Sequence, residues 1–191
     1  MPRTKVAIGV DAAYANQFDD DVEAALRTAA HEGKAHAIGS CGLSDAGSNA
    51  QKDAFLRQVA IAQEFELPLI VQSNGAHAET LAILNGTDFP LGRVLVHAFN
   101  GTDDELQLWA QAGCYVSFNG ARANDAEALL KQATLVSPDR VLVESGAPAD
   151  ALDELSGYPA RCDQSVFAAA AILPHVSAEQ LAANAAAFFN L

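Results

Sequence analysis

The chain has 191 residues, half of them apolar, which is enough for one hydrophobic core. Eleven Lys and Arg stand against 24 Asp and Glu, giving a formal net charge of −13 that disfavours binding to a nucleic-acid backbone. Three widely spaced cysteines, Cys41, Cys114 and Cys162, predict neither a disulfide framework nor a zinc site. With no apolar run of membrane-spanning length and no signal peptide, we expect one cytoplasmic domain over residues 1–191 without membrane partners.

Short β-type runs alternate with helical patterns six times along the chain. The predicted strands are Lys5–Val10, Ala35–Gly39, Leu67–Val71, Val94–Phe99, Tyr115–Phe118 and Val141–Glu144. These runs are mostly apolar throughout, which is typical of strands buried on both faces of a parallel sheet. The predicted helices between them are Asp20–Glu32, Ala50–Phe65, Ala76–Asn85, Asp103–Ala112 and Asp125–Ala133. The alternation predicts an α/β fold.

Two capping patterns place further helix starts. Thr102-x-x-Glu105 predicts the start of the helix after the fourth strand, and Ser177-x-x-Gln180 predicts a final helix that runs to about Phe189. The Ala-rich stretch Val166–Leu173 predicts one more helix, ended by a proline.

A barrel is favoured over an open sheet for two reasons. No glycine-rich nucleotide-binding loop follows any strand. Polar residues also collect at the carboxyl ends of the predicted strands, where barrel enzymes assemble their sites. They are Asp11, Ser40, Gln72, His97, Asn119 and Glu144.

The order of several motifs resembles the TatD family of metal-dependent deoxyribonucleases, from about Val6 to Leu191. Ile8–Ala13 takes the place of the family's G-[IV]-H-P-H, and Ile38–Ser44 matches G-E-[IV]-G-L-D. Further matches are Gln72–Ala76 to H-S-R-x-A, His97–Gly101 to H-C-F-[ST]-G, Tyr115–Gly120 to Y-I-S-F-S-G, and Pro138–Pro148 to P-x-[DE]-R-[IL]-L-x-E-T-D-[AS]-P. The resemblance implies an incomplete TIM-barrel-like fold of about six βα units. The family's first two strands would be missing, and extra C-terminal helices would follow.

The resemblance also implies a depleted metal site. In the family, divalent metals are held by an H-x-H pair on a strand that has no counterpart here, and by residues of the later motifs. At those later positions this chain has Ser40 for a glutamate, Gln72 for a histidine and Gly146 for an aspartate, and His97 is the single retained ligand. A hydroxyl, an amide and a glycine are poor ligands for a divalent cation.

These replacements predict a catalytically impaired homologue, or pseudoenzyme, that acts as a binding or interaction module. The alternative is an active phosphoester hydrolase of DNase type that uses Mg, Mn or Zn. Its metal site would be rebuilt from Asp11, His97 and Glu144 or completed by a partner chain. A remnant with little function of its own is a third possibility.

Individual residues carry further expectations. We expect His97 to be structural, because no carboxylate that would orient it can be identified. Glu144 should face the same side as the vacant position 146, either beside a bound cation or as a hydrogen-bonded interior carboxylate. Cys41 is predicted to be a buried thiol, and His77 a surface residue at a helix start.

Two hypotheses concern binding. The strand-end residues Asp11, Ser40, Gln72, His97 and Glu144 form a possible site for a small polar ligand or substrate. The first and last strands would be edges with unpaired backbone groups. Contraction of the sheet, coverage by the C-terminal helices or pairing with another chain could cover them, and a homodimer or partner chain is therefore expected.

Overall fold

The computed structural model describes residues 4–45, 47–119, 126–144, 173 and 175–190. The strands are β1 (Ala7–Ile8), β2 (Ala37–Ser44), β3 (Leu69–Asn74), β4 (Val94–Val96), β5 (Tyr115–Asn119) and β6 (Val141–Glu144). The α-helices are α1 (Asp20–His31), α2 (Asn49–Glu64), α3 (His77–Asn85), α4 (Asp103–Gln111), α5 (Ala126–Ala133) and α6 (Ala178–Phe188). Short 3₁₀ segments lie at Ala12–Gln17, Leu91–Arg93 and Pro138–Arg140.

The six strands form one parallel sheet in sequential order, β1 to β6. The sheet curls into half of a barrel, with helices on its convex side. The predicted α/β, incomplete TIM-barrel-like fold is therefore confirmed. No helix in the described ranges has both the length and the apolar character needed to span a bilayer.

The main core lies between the sheet and the outer helices. Its largest fully buried side chains are Trp109, Phe55, Phe99 and Phe118, together with branched aliphatic residues of the strands. Trp109 and Phe55 thus pack against the sheet, as their helical spacing predicts.

A second, smaller core occupies the lower part of the concave face. Leu95, Tyr115 and Leu142 point into it from three neighbouring strands, and Phe188 of α6 packs on them with its ring centroid 5.4 Å from that of Tyr115. Asn184 of α6 donates to the Pro138 and Val141 carbonyl oxygens at 2.8 and 2.7 Å. The C-terminal helix therefore packs on the concave face and against β6, which is one of the two strands expected to be edges.

Five of the six strands differ from their predicted limits at one or both ends, and the differences in β2 and β4 bear on the site. β2 continues to Ser44, well beyond the predicted end at Gly39, so Ser40 lies inside a strand. Gly42 has a φ of 149°, and a Cβ there would overlap the Gln72 carbonyl oxygen, so only glycine permits this close approach of β2 to β3. β4 ends at Val96 because the next turn places Ala98 at a φ of 48°. His97 consequently lies just after its strand.

The helix predictions were close. Thr102 and Glu105 form both hydrogen bonds of a capping box, and the Ser177 hydroxyl accepts from the Gln180 N–H at 3.1 Å. Of the helix predicted at Val166–Leu173, the structure describes Leu173 alone. Gly146 and Cys162 also lie outside the described residues.

Candidate functional site

Above the apolar layer, the concave face of the sheet becomes polar. Strand alternation places Gln72, Ser117 and Glu144 two residues beyond Ile70, Tyr115 and Leu142, and therefore on the same face. His97 stands in the same relation to Leu95. The carboxyl ends of β3 to β6 thus carry one layer of hydrogen-bonding side chains.

His97 and Glu144 form a close pair in this layer. His97 Nδ1 lies 2.5 Å from Glu144 Oε2, and the side chains are 35% and 15% exposed. The expectation that His97 lacks an orienting carboxylate was therefore wrong. With Nδ1 directed at the carboxylate, Nε2 remains, and it has no hydrogen-bond partner among the described residues.

The second oxygen of Glu144 is also occupied. Oε1 accepts from the Ala98 N–H at 2.6 Å and from the Ser117 hydroxyl at 2.8 Å. Two alternatives were considered for Glu144. The structure shows the second, a hydrogen-bonded interior carboxylate. Sequence reasoning missed Ser117, although its place two residues before Asn119 on an inward-facing register was a usable signal.

Ser40 and Gln72 form a separate pair on β2 and β3. The Ser40 hydroxyl donates to Gln72 Oε1 at 3.1 Å. Both residues lie inside their strands rather than beyond the strand ends, which corrects the predicted position. Each stands where the motif resemblance implies a metal ligand of the family, and here the two side chains bind one another.

Asp11 occupies a third position, at the end of the sheet beside β1. Its side chain caps the 3₁₀ segment Ala12–Gln17 by accepting from the Ala13 N–H at 2.9 Å. A cavity of about 430 Å³ is lined by Asp11 and Ser40, by the two residues that follow β1, by two residues of the 3₁₀ segment and by Val22 of α1. Gln72, His97 and Glu144 do not line that cavity. The five predicted residues are therefore divided between a cavity at β1 and a hydrogen-bonded layer over β3 to β6.

A metal centre needs about three protein ligands that converge on one point. Within residues 4–45, 47–119, 126–144, 173 and 175–190, no group of three or more His, Cys, Asp or Glu side chains meets that condition. Both oxygens of Glu144 are engaged, and His97 Nε2 is the one metal-ligating atom of the pair that has no partner among the described residues. The described residues do not fit a divalent metal on their own.

The two remaining expectations had opposite outcomes. Cys41 is fully buried, as predicted, and burial raises the pKa of its thiol far above the ordinary range. His77 was predicted at the surface, and this was wrong. It is 1% exposed, accepts a hydrogen bond from Trp109 Nε1 at 3.1 Å and packs against Phe99 at 4.9 Å between centroids. Burial lowers the pKa of His77.

Comparison with known proteins identifies relatives of this chain. The family model described as TatD related DNase matches residues 2–190. The 3′-5′ ssDNA/RNA exonuclease TatD of Cronobacter sakazakii is 33% identical over 147 residues, covering 73% of this chain and 56% of that protein. The protein of the same name from Yersinia pseudotuberculosis is 31% identical over 185 residues, covering 92% of this chain and 68% of the relative. The chain thus spans little more than half the length of the first of these relatives.

Solved structures show the same fold. YJJV, a TatD homologue from Escherichia coli, superposes with a TM-score of 0.77 at 22% identity, covering 98% of this chain and 77% of the other. A hydrolase TatD family protein from Entamoeba histolytica also gives a TM-score of 0.77, at 16% identity and with coverages of 96% and 74%. At these identities the likeness concerns the fold.

Proposed function

The chain belongs to the TatD-related DNase family and is a TatD-like hydrolase homologue, and we propose that it is a catalytically impaired member that acts as a binding module. One observation carries this proposal. The residues that match the family's ligand positions in the described sheet bind neighbouring side chains, Ser40 to Gln72 and His97 to Glu144, and no group of three or more His, Cys, Asp or Glu side chains in the described ranges could hold a metal ion.

The chemistry of these residues supports impairment. Metal-assisted hydrolysis requires a water activated by a well-held cation. Ser40 and Gln72 supply a hydroxyl and a neutral amide, which bind divalent cations far more weakly than a carboxylate and an imidazole. The amide oxygen of Gln72 is already the acceptor of the Ser40 hydroxyl.

The distribution of charge also disfavours a nucleic-acid substrate. Six of the eight Lys and Arg residues that the structure describes form ion pairs with carboxylates. These cations are largely neutralised within the protein, on a chain with a net charge of −13. Binding to a phosphate backbone depends on cations that displace its counterions.

The free edge of β1 supports a role in interaction. Within the described residues β1 pairs only with β2, and Val6, which directly precedes β1, is 43% exposed. An exposed edge with apolar side chains favours pairing with another chain. We propose that a second copy covers it. Sedimentation velocity at micromolar concentration should then give a dimer, and a strictly monomeric protein would leave a different partner chain as the occupant.

A second candidate function rests on the His97–Glu144 pair. A carboxylate that holds one imidazole nitrogen and leaves the other free is the usual support of a metal-ligating histidine. This arrangement favours a divalent-metal-dependent phosphoester hydrolase whose remaining ligands come from a partner chain or from Asp11. It requires ligands beyond the described cluster.

Hydrolysis measurements separate the two functions. The purified chain and its His97→Ala variant are incubated with 3′-labelled single-stranded DNA and with Mg, Mn or Zn. Impairment predicts that the two proteins release label at the same background rate with each metal. A metal-dependent rate in the unmodified chain that His97→Ala abolishes, with both proteins folded by circular dichroism, would establish the hydrolase instead.

A further inference from the structure

The cavity beside β1 has a regular polar wall. Asp11, Tyr14 and Gln17 all line it, and they are spaced by three residues along the 3₁₀ segment that Asp11 caps. Because a 3₁₀ helix has three residues per turn, side chains three apart lie above one another. The cavity wall therefore carries a carboxylate, a phenol and an amide in one row.

Two side-chain amides of α2, one of them buried, hold this wall in place. Gln58 is 1% exposed, and its side chain accepts from the Val10 N–H at 2.7 Å and donates to the Val10 carbonyl oxygen at 3.0 Å. Gln51 donates to the Ala12 carbonyl oxygen at 3.3 Å and accepts from the Ser44 N–H at 3.2 Å. The backbone that leads from β1 into the 3₁₀ segment is thus fixed without a ligand, as a preformed binding site requires.

The composition of the lining selects the kind of ligand. Val10 and Val22 make the cavity largely apolar, and no Lys, Arg or His is among its described lining residues. Asp11 uses one carboxylate oxygen, Oδ1, to cap the segment, and no residue in the described ranges donates a hydrogen bond to the other oxygen. A cation beside a carboxylate and a tyrosine ring is attracted by both. The net charge of −13 also raises the local concentration of cations.

We propose that the β1 cavity binds a small organic ammonium ion, with its charged head at Asp11 and its apolar body against Val10 and Val22. The volume of about 430 Å³ lies within the range of small-molecule sites. This inference rests on the proposed function, because it names the class of ligand that the binding module takes.

Three probes of equal length test the charge requirement. Butylammonium, butanol and butyrate are titrated into isotopically labelled protein, and chemical shifts of the cavity residues are followed by NMR. Butylammonium should saturate the shifts of Tyr14 and Gln17, with butanol binding at least about tenfold more weakly, as the loss of a charged hydrogen bond predicts. Butyrate should not bind. Equal binding of butanol and butylammonium, or no saturable shift with butylammonium, would overturn the proposal.

A matched pair of variants locates the contact. Asp11→Asn removes the charge and keeps a capping oxygen, since asparagine is an equally good N-cap. Asp88→Asn removes the same charge from an exposed loop between α3 and β4, at the opposite end of the sheet. Asp11→Asn should abolish the preference for butylammonium, and Asp88→Asn should retain it. An unchanged preference in Asp11→Asn would contradict the assignment.

The ammonium-binding result can be distinguished from the test of catalytic impairment. DNA hydrolysis is measured on the same samples. Absence of both hydrolysis and ammonium binding would overturn this inference and leave catalytic impairment standing. Metal-dependent hydrolysis without ammonium binding would overturn both.

Discussion

Glu144 Oε2 lies 2.5 Å from His97 Nδ1, although Glu144 ends β6, His97 directly follows β4, and β5 lies between these two strands in the sheet. Ser117 of the intervening strand is small enough to let the carboxylate reach across, and its hydroxyl donates to the other oxygen of Glu144. The pair therefore ties β4 to β6 on the concave face.

A double-mutant cycle measures this link. Replacing Glu144 by Gln or His97 by Ala should each lower the free energy of unfolding by about 1–3 kcal/mol, because each leaves a half-buried polar partner unsatisfied. The double variant should lose less than the sum, with a coupling energy of about 0.5–3 kcal/mol. Urea unfolding of the four proteins gives these values. Additive losses would mean that the two side chains do not interact in solution.

His77 makes stability depend on pH. Burial lowers its pKa in the folded chain, so between its ordinary value of about 6.5 and that lower value the unfolded chain binds more protons. The free energy of unfolding should therefore fall as pH falls below about 6.5. The nearby carboxylate of Glu105 opposes part of the shift.

Two histidine variants test that dependence by urea unfolding at pH 7.5, 6.5 and 5.5, which are about one unit above, at and below the ordinary histidine pKa. His77→Gln keeps an acceptor for Trp109 Nε1 and should show a flatter profile than the unmodified chain. His31→Gln, at an exposed position on α1, is the matched control, and its profile should be steeper than that of His77→Gln. Equal slopes in all three proteins would assign the pH dependence to other groups.

Phe188 anchors the C-terminal helix on the concave face. Phe188→Ala should lower the free energy of unfolding by about 3–5 kcal/mol, because the side chain is 3% exposed and fills the space over Tyr115. Phe189→Ala, one residue on and only partly buried, is the matched control and should cost clearly less. Similar losses of unfolding free energy from both variants would show that Phe188 is not the side chain that fills the concave face over Tyr115.

Gly42 is required where β2 approaches β3. Gly42→Ala would force a Cβ into the Gln72 carbonyl oxygen at a φ of 149°. Gly33→Ala shares the positive φ but meets nothing within 4 Å, so it should cost only the backbone penalty of about 1–2 kcal/mol. Thermal unfolding should show a much larger loss for Gly42→Ala. A loss no greater than that of Gly33→Ala would mean that β2 shifts to make room.

The fold could be predicted from the sequence because strands buried on both faces of a parallel sheet appear as short apolar runs. Val141–Glu144 was predicted with its observed limits, since it is a short apolar run between a proline turn and a polar end. β2 was predicted too short because Gly39 and Gly42 resemble strand ends in a sequence. In the sheet they allow β2 and β3 to approach closely.

The site was harder to predict from the sequence because its contacts join residues that are far apart in the chain and meet across the sheet. Alternation placed Glu144 on the concave face, but the partner it meets depends on the small size of Ser117 and on the turn that follows β4. His77 was misplaced for a related reason. The side of α3 that is buried depends on how α4 packs beside it, and Trp109 comes from that second helix.

Metal stoichiometry tests the central claim most directly. The chain is freed of metal, incubated with Mg, Mn and Zn, separated from excess ions and analysed by elemental mass spectrometry. His97→Ala is the background, and Ser40→Glu with Gln72→His restores two ligand types of the family. Catalytic impairment predicts no more metal on the unmodified chain than on His97→Ala, and an increase in the restored variant. One metal ion per chain that His97→Ala removes would contradict the account and establish a working metal site.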